Sequence, residues 1–153
     1  MNTILGIGDF EITLGFNAFR DWVNRTSDLN AGRLIKRATP NLIKAEIDAY
    51  NAPFPDISYK AGVRRFPNLV PTTYEALGAE ISRKARGFFP KDWKGESFMT
   101  IGIQDPVLGP SVMRLLRRWI PGIPKPLEIK EAGHFVQDWG EIVAEKALEA
   151  FNL

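Results

Sequence analysis

Apolar positions in the first third of the chain recur at helical spacing. Phe16, Phe19, Trp22 and Val23 stand at i, i+3, i+6 and i+7, which predicts an amphipathic helix. Residues 29–37 give a second short helix. Thr39-Pro40 predicts the start of a third, with Thr as cap and Pro at the first helical position, where its missing N–H costs nothing. Leu42, Ile43, Ile47 and Tyr50 lie on one side of it, and Pro53 ends it by disfavouring the α conformation in the residue before. Ahead of these helices, residues 3–5 read as a short apolar strand that Gly6, Gly8 and Asp9 break off. Behind them, residues 52–57 form a stiff loop, and Pro67 and Pro71 bracket another.

The second half alternates. A helix is expected over 72–87, a buried strand over 97–103, a helix over 110–119 and a strand over 127–130. A last helix over 138–151 turns Trp139, Ile142, Val143, Leu148 and Phe151 to the core. Strand, helix, strand and helix in succession imply parallel pairing with a right-handed crossover. A helical, Pro-rich part therefore precedes an α/β part.

Composition narrows the partners. The formal net charge of the 153 residues is only +2, and the densest basic group, Arg114, Arg117 and Arg118, fits the solvated side of a short helix. Nucleic-acid binding needs clustered positive charge, so no nucleic-acid partner is expected. No apolar run approaches the ~20 residues of a membrane span. Cysteine is absent, which removes disulfides and thiolate metal sites and fits a cytoplasmic protein. No cofactor and no metal are expected.

Two residues carry candidate chemistry. Asp105 follows the strand predicted at 97–103. His134, the only histidine, follows the strand predicted at 127–130 in the run Glu131-Ala-Gly-His-Phe. Ligands of open parallel sheets bind beyond the carboxyl ends of the strands, and neighbouring strands would bring both loops to that edge. A buried carboxylate that accepts an imidazole N–H fixes the ring tautomer and stabilises the imidazolium, which makes an acid–base pair able to activate water. A structural His and a turn Asp remain the alternative reading of these two residues.

Three segments resemble haloalkane dehalogenases of the α/β-hydrolase superfamily. They are residues 132–137, Ala-Gly-His-Phe-Val-Gln; residues 102–110, Gly-Ile-Gln-Asp-Pro-Val-Leu-Gly-Pro; and the unusual stretch at 52–67, which in that family joins a helical cap back to the main domain. The resemblance covers nearly the whole chain. It implies an α/β fold that is the C-terminal half of an α/β hydrolase. Residues 1–8 would be a strand of the main domain, 9–65 the helical cap, and 66–153 the C-terminal strands and helices of the main parallel sheet. It also implies a hydrolase that cleaves carbon–halogen bonds to alcohol and halide through an alkyl-enzyme ester. His134 would be the general base and Asp105 the acid that orients it. Partners would be a small halogenated alkane and halide, and the full-length protein would be monomeric.

The chain departs from the family in two places. The family's nucleophile is an Asp in a strand-to-helix elbow, followed by a halide-binding Trp, upstream of the strand at 3–5; neither has a counterpart here. Gln137-Asp138-Trp139-Gly140 spells the same tetrapeptide but follows no strand, and Trp139 fits the stripe of the last helix. In the cap, Phe19 stands where the family has a second halide-binding Trp; Trp22, one turn on, could face the same cavity. Phe16, Phe66, Pro67, Val70, Val107, Leu108 and Phe135 match positions that line the family's apolar pocket. The chain alone is expected to be inactive. An epoxide hydrolase, which would use the same His and Asp, and a non-catalytic remnant are the competing readings.

Overall fold

The computed structural model describes residues 2–153; Met1 lies outside the described residues. The chain forms two compact units, residues 6–83 and residues 2–5 with 84–153.

The first unit is helical. Helix α1 (Leu14–Arg25) starts where the Thr13 hydroxyl accepts the Phe16 N–H, and α2 (Ala31–Ala38) where the Asn30 side chain accepts the Arg33 N–H. Val23, Leu29 and Ala31 form its core, with Phe19, Phe54 and Val63 packed against them. Helix α3 (Lys44–Asn51) begins later than the Thr39-Pro40 pair predicts. The Thr39 N–H is used to close α2 on Ile35, and the Lys36 ammonium binds the Pro40 and Leu42 carbonyls, holding 40–42 as a turn. Glu46 then takes the Ile43 N–H and starts the helix. The loop after α3 is fastened by the buried Lys60, whose ammonium pairs with Asp28. Helix α4 (Ala61–Arg65) runs into a 3-10 turn at Phe66–Leu69 that buries Pro67.

Helix α5 (Ala79–Lys91) also starts later than expected. Gly78 has φ +86°, a left-handed conformation that no right-handed helix can run through. The helix passes Gly87 and ends in a cluster of Phe88, Phe89 and Trp93 rings.

The α/β unit contains β1 (Thr100–Gly102), α6 (Pro110–Trp119), β2 (Leu127–Ile129) and α7 (Gly140–Ala150). The strands pair in parallel with Ile101 opposite Glu128. Met99, Ile101, Met113, Leu116 and Ile123 form the core between β1 and α6, and a second cluster of Ile129, Ala132 and Val136 lies after β2 with Trp139 and Val143 against it. β1 is shorter than the strand expected over 97–103. The expected helix over 138–151 is a 3-10 turn at Val136–Trp139 followed by α7. Ile142 and Leu148 are exposed, contrary to the expected core stripe. Residues 3–5 form no strand: the Thr3 N–H meets the Met113 sulfur instead of a ladder carbonyl. No helix among the described residues is long and apolar enough to cross a membrane.

Candidate active site

The ladder between the strands carries on past β1. The Ile103 N–H donates to the Ile129 carbonyl, and the Gln104 N–H to the Ala132 carbonyl at 2.8 Å. The chain leaving β1 is thereby tied to the loop leaving β2, the loop that presents His134. The next residue is Asp105. Its Oδ1 accepts the N–H groups of Val107 and Leu108 at 2.9 and 3.0 Å, a turn that fixes the carboxyl before α6 begins. Its Oδ2 lies 2.7 Å from Nδ1 of His134. The Asp105 side chain is 1% exposed and that of His134 is 25% exposed. The acid is shut in, and the ring keeps an open side.

Burial pushes the Asp105 carboxyl up, but the bonds from His134, Val107 and Leu108 outweigh it. They hold its pKa below the ordinary carboxylate value. An ionised carboxylate at this distance requires Nδ1 of His134 to be the donor, which leaves the lone pair of the neutral ring on Nε2. The arrangement can draw a proton from water at Nε2 and stabilise the resulting imidazolium at Nδ1.

Close approach of backbone sets this geometry. A Cβ on Gly102 would stand 1.9 Å from the Gly133 carbonyl oxygen, so only glycine lets β1 lie against the residue preceding the histidine. The Phe135 ring meets that of His134 edge-on, with centroids 4.8 Å apart. Val107 is exposed and Leu108 half-buried.

In the helical unit, Phe16, Phe19 and Trp22 form a run of rings along α1. Phe16 meets Phe19 at 6.1 Å between centroids, and Phe19 stacks on Trp22 at 6.4 Å. Trp22 is partly open to solvent, Phe66 is largely exposed, Pro67 is buried and Val70 half-buried. Gln137-Asp138-Trp139-Gly140 lies on the 3-10 turn and the start of α7, and Trp139 packs on the cluster after β2. A buried residue that the sequence reading did not single out, Asn2, also bonds to this region. Residues 3–5 beside it have the composition of a strand, and no pattern distinguishes an asparagine there.

No family model matches the chain. It is 38% identical over 148 residues to a haloalkane dehalogenase of Psychrobacter cryohalolentis, covering 94% of this chain and 48% of that protein. With a haloalkane dehalogenase of Mycolicibacterium paratuberculosis it shares 35% identity over 136 residues, 87% of this chain and 44% of the relative. Among solved structures it matches the tetrameric haloalkane dehalogenase DpaA of Paraglaciecola agarilytica, with a TM-score of 0.89 and 37% identity over 97% of this chain and 50% of that one. The chain thus spans about half the length of the relatives it matches. Over nearly all of its length it is a homologue of the C-terminal half of the haloalkane dehalogenases, with part of their α/β-hydrolase fold.

Proposed function

We propose that this chain supplies the base and its orienting acid to a haloalkane dehalogenase-like hydrolase, which cleaves carbon–halogen bonds to alcohol and halide through an alkyl-enzyme ester. The observation that carries the reading is the 2.7 Å contact between His134 Nδ1 and a carboxyl otherwise closed to water. In the proposed reaction a carboxylate displaces halide from the substrate carbon and forms the ester. That carboxylate, and the indole that holds the halide, are assigned to an upstream half such as the relatives possess. His134 Nε2 then takes a proton from water as the water oxygen attacks the ester carbonyl carbon. Asp105 stabilises the imidazolium, which returns its proton to the departing alkoxide. The regenerated carboxyl loses its proton to solvent. The halide has little proton affinity and needs N–H donors, not a general acid.

Apolar residues that the resemblance assigns to substrate contact are proposed for each unit by itself. They are Val107, Leu108 and Phe135 on the unit with the base, and Phe16, Phe19, Trp22, Phe66, Pro67 and Val70 on the helical unit. Trp22 is proposed as the second indole donor, in place of Phe19. The cytoplasm is the proposed location, in keeping with the lack of cysteine. The tetramer described for the Paraglaciecola protein weighs against the expectation of a monomer.

The test joins this chain to the upstream half of a homologous dehalogenase that bears the elbow, and measures halide release from a small alkyl bromide. The joined protein should turn over. Its His134→Gln variant should release about one halide per molecule and stall, because the ester forms and is not hydrolysed. Steady turnover by that variant at the unsubstituted rate would remove the base from His134.

A further inference from the structure

Asn2 is 0% exposed, and among the described residues its three hydrogen bonds go to the frame of the acid–base pair. Its Nδ2 donates to the Gly102 carbonyl at 2.9 Å, and its Oδ1 accepts the Gly102 N–H at 3.0 Å. Its own backbone N–H donates to the His134 carbonyl at 3.1 Å. The parallel ladder explains why Gly102 needs such a partner. Ile103 donates to Ile129 and Leu127 to Met99, so the N–H and C=O of Gly102 point away from β2. They are buried, and an unpaired buried backbone group is costly. The carboxamide of Asn2 satisfies both at once, in the manner of a further strand reduced to one side chain.

That same residue holds His134 by its carbonyl. Gly102 lies three positions before Asp105 and His134 carries the ring, so Asn2 fastens the two ends of the Asp105–His134 bond to one point. A bond of 2.7 Å tolerates little movement of either end. We infer that Asn2 is a positioning residue, which locks Gly102 and the His134 backbone in one frame and thereby holds the His134 ring in its Nδ1–H form against Asp105. The inference deepens the proposed function, since it concerns the base named there, but its test reads the ring and needs no turnover. Failure of one leaves the other standing.

Because His134 is the only histidine, labelling the 153-residue chain with 15N-histidine gives one pair of ring nitrogen signals. Magic-angle-spinning NMR reads them whether or not the chain associates. At alkaline pH the unsubstituted chain should show one tautomer, protonated at Nδ1 and bare at Nε2. Asn2→Ala, which removes both bonds to Gly102, should lose that signature to an exchanging mixture of tautomers. Asn2→Ser, which can serve only one Gly102 group, should lose it in part. Ile101→Val is the control: it trims a buried β1 side chain and lowers Tm without removing any bond to Gly102 or His134, and should keep the single tautomer. If Asn2→Ala does not fold, Asn2→Ser decides. Retention of the pure Nδ1–H form by the folded Asn2 variants, or its equal loss in Ile101→Val, overturns the inference.

Discussion

Burial alone would raise the pKa of the Asp105 carboxyl, yet three donors hold it below the ordinary value. A carboxyl whose folded pKa is lowered binds its proton less readily folded than unfolded. Its contribution to stability is therefore complete above the unfolded value of about 4 and is lost as pH falls through the lower folded value. Asp105→Asn keeps an acceptor for Val107 and Leu108 but turns an N–H toward His134, which would have to place its own proton on Nε2 to accept it. The variant should be less stable at neutral pH by roughly 1–3 kcal/mol. That deficit should shrink as pH drops below about 4. In the joined enzyme, ester hydrolysis should slow by on the order of a thousandfold or more, the scale seen when an orienting carboxylate becomes an amide. Denaturation from pH 7 to pH 2 reads the first effect, and a deficit that grows on acidification contradicts it. The meeting of Asp105 and His134 was legible because each follows a strand and parallel strands deliver their trailing loops to one edge, whereas their roles came only from the family resemblance. Asn2 was not legible, because its partners, Gly102 and His134, are brought to it only by the fold.

At the scale of elements, the meeting of β1 with the loop before His134 depends on a missing side chain. Gly102→Ala would drive a methyl group into the Gly133 carbonyl, backbone against backbone, with no flexible side chain to give way. The strand and the loop must part, with a cost of about 1–3 kcal/mol or more. The Gln104–Ala132 bond and the Asp105–His134 bond should both lengthen. A lowered Tm with loss of the Nδ1–H signal of His134 is the expected result, and an unchanged signal would place the two elements farther apart than described. Some element boundaries depend on more than local sequence pattern. Periodicity located α1, whose Val23 is buried and whose Phe19 packs against the core of its unit. Thr39-Pro40 has the chemistry of a helix start, but closing α2 took the Thr39 N–H first. Residues 72–78 match a helical pattern, yet the positive φ of Gly78 breaks it. Residues 3–5 have strand composition, but the Thr3 N–H goes to Met113. Bonds to other residues decided the cases of Thr39 and Thr3, and backbone conformation decided that of Gly78.

Over the whole chain, large apolar side chains remain in water. In the helical unit Leu14, Phe66, Leu77 and Ile81 are 88, 70, 80 and 73% exposed. In the α/β unit Phe88, Val107 and Leu148 are exposed, and among the described residues the sheet consists of two short strands. Covering one such side chain is worth roughly 1.5–3 kcal/mol, so a few of them rival the net stability of a domain. Relatives twice as long have a second half available to cover such surface, and by the proposed mechanism that half also brings the nucleophile. The 153-residue chain alone should self-associate as its concentration rises and release no halide from an alkyl bromide. Without an ester His134 has nothing to hydrolyse, and direct attack by water forgoes covalent catalysis. Joined to the upstream half of a relative, it should run as a species of defined mass, monomer or tetramer, and release halide. Sedimentation and halide assays on both proteins separate the outcomes: association without rescue by the second half removes the covering argument, and enzyme-level turnover by the 153-residue chain as a monomer removes both.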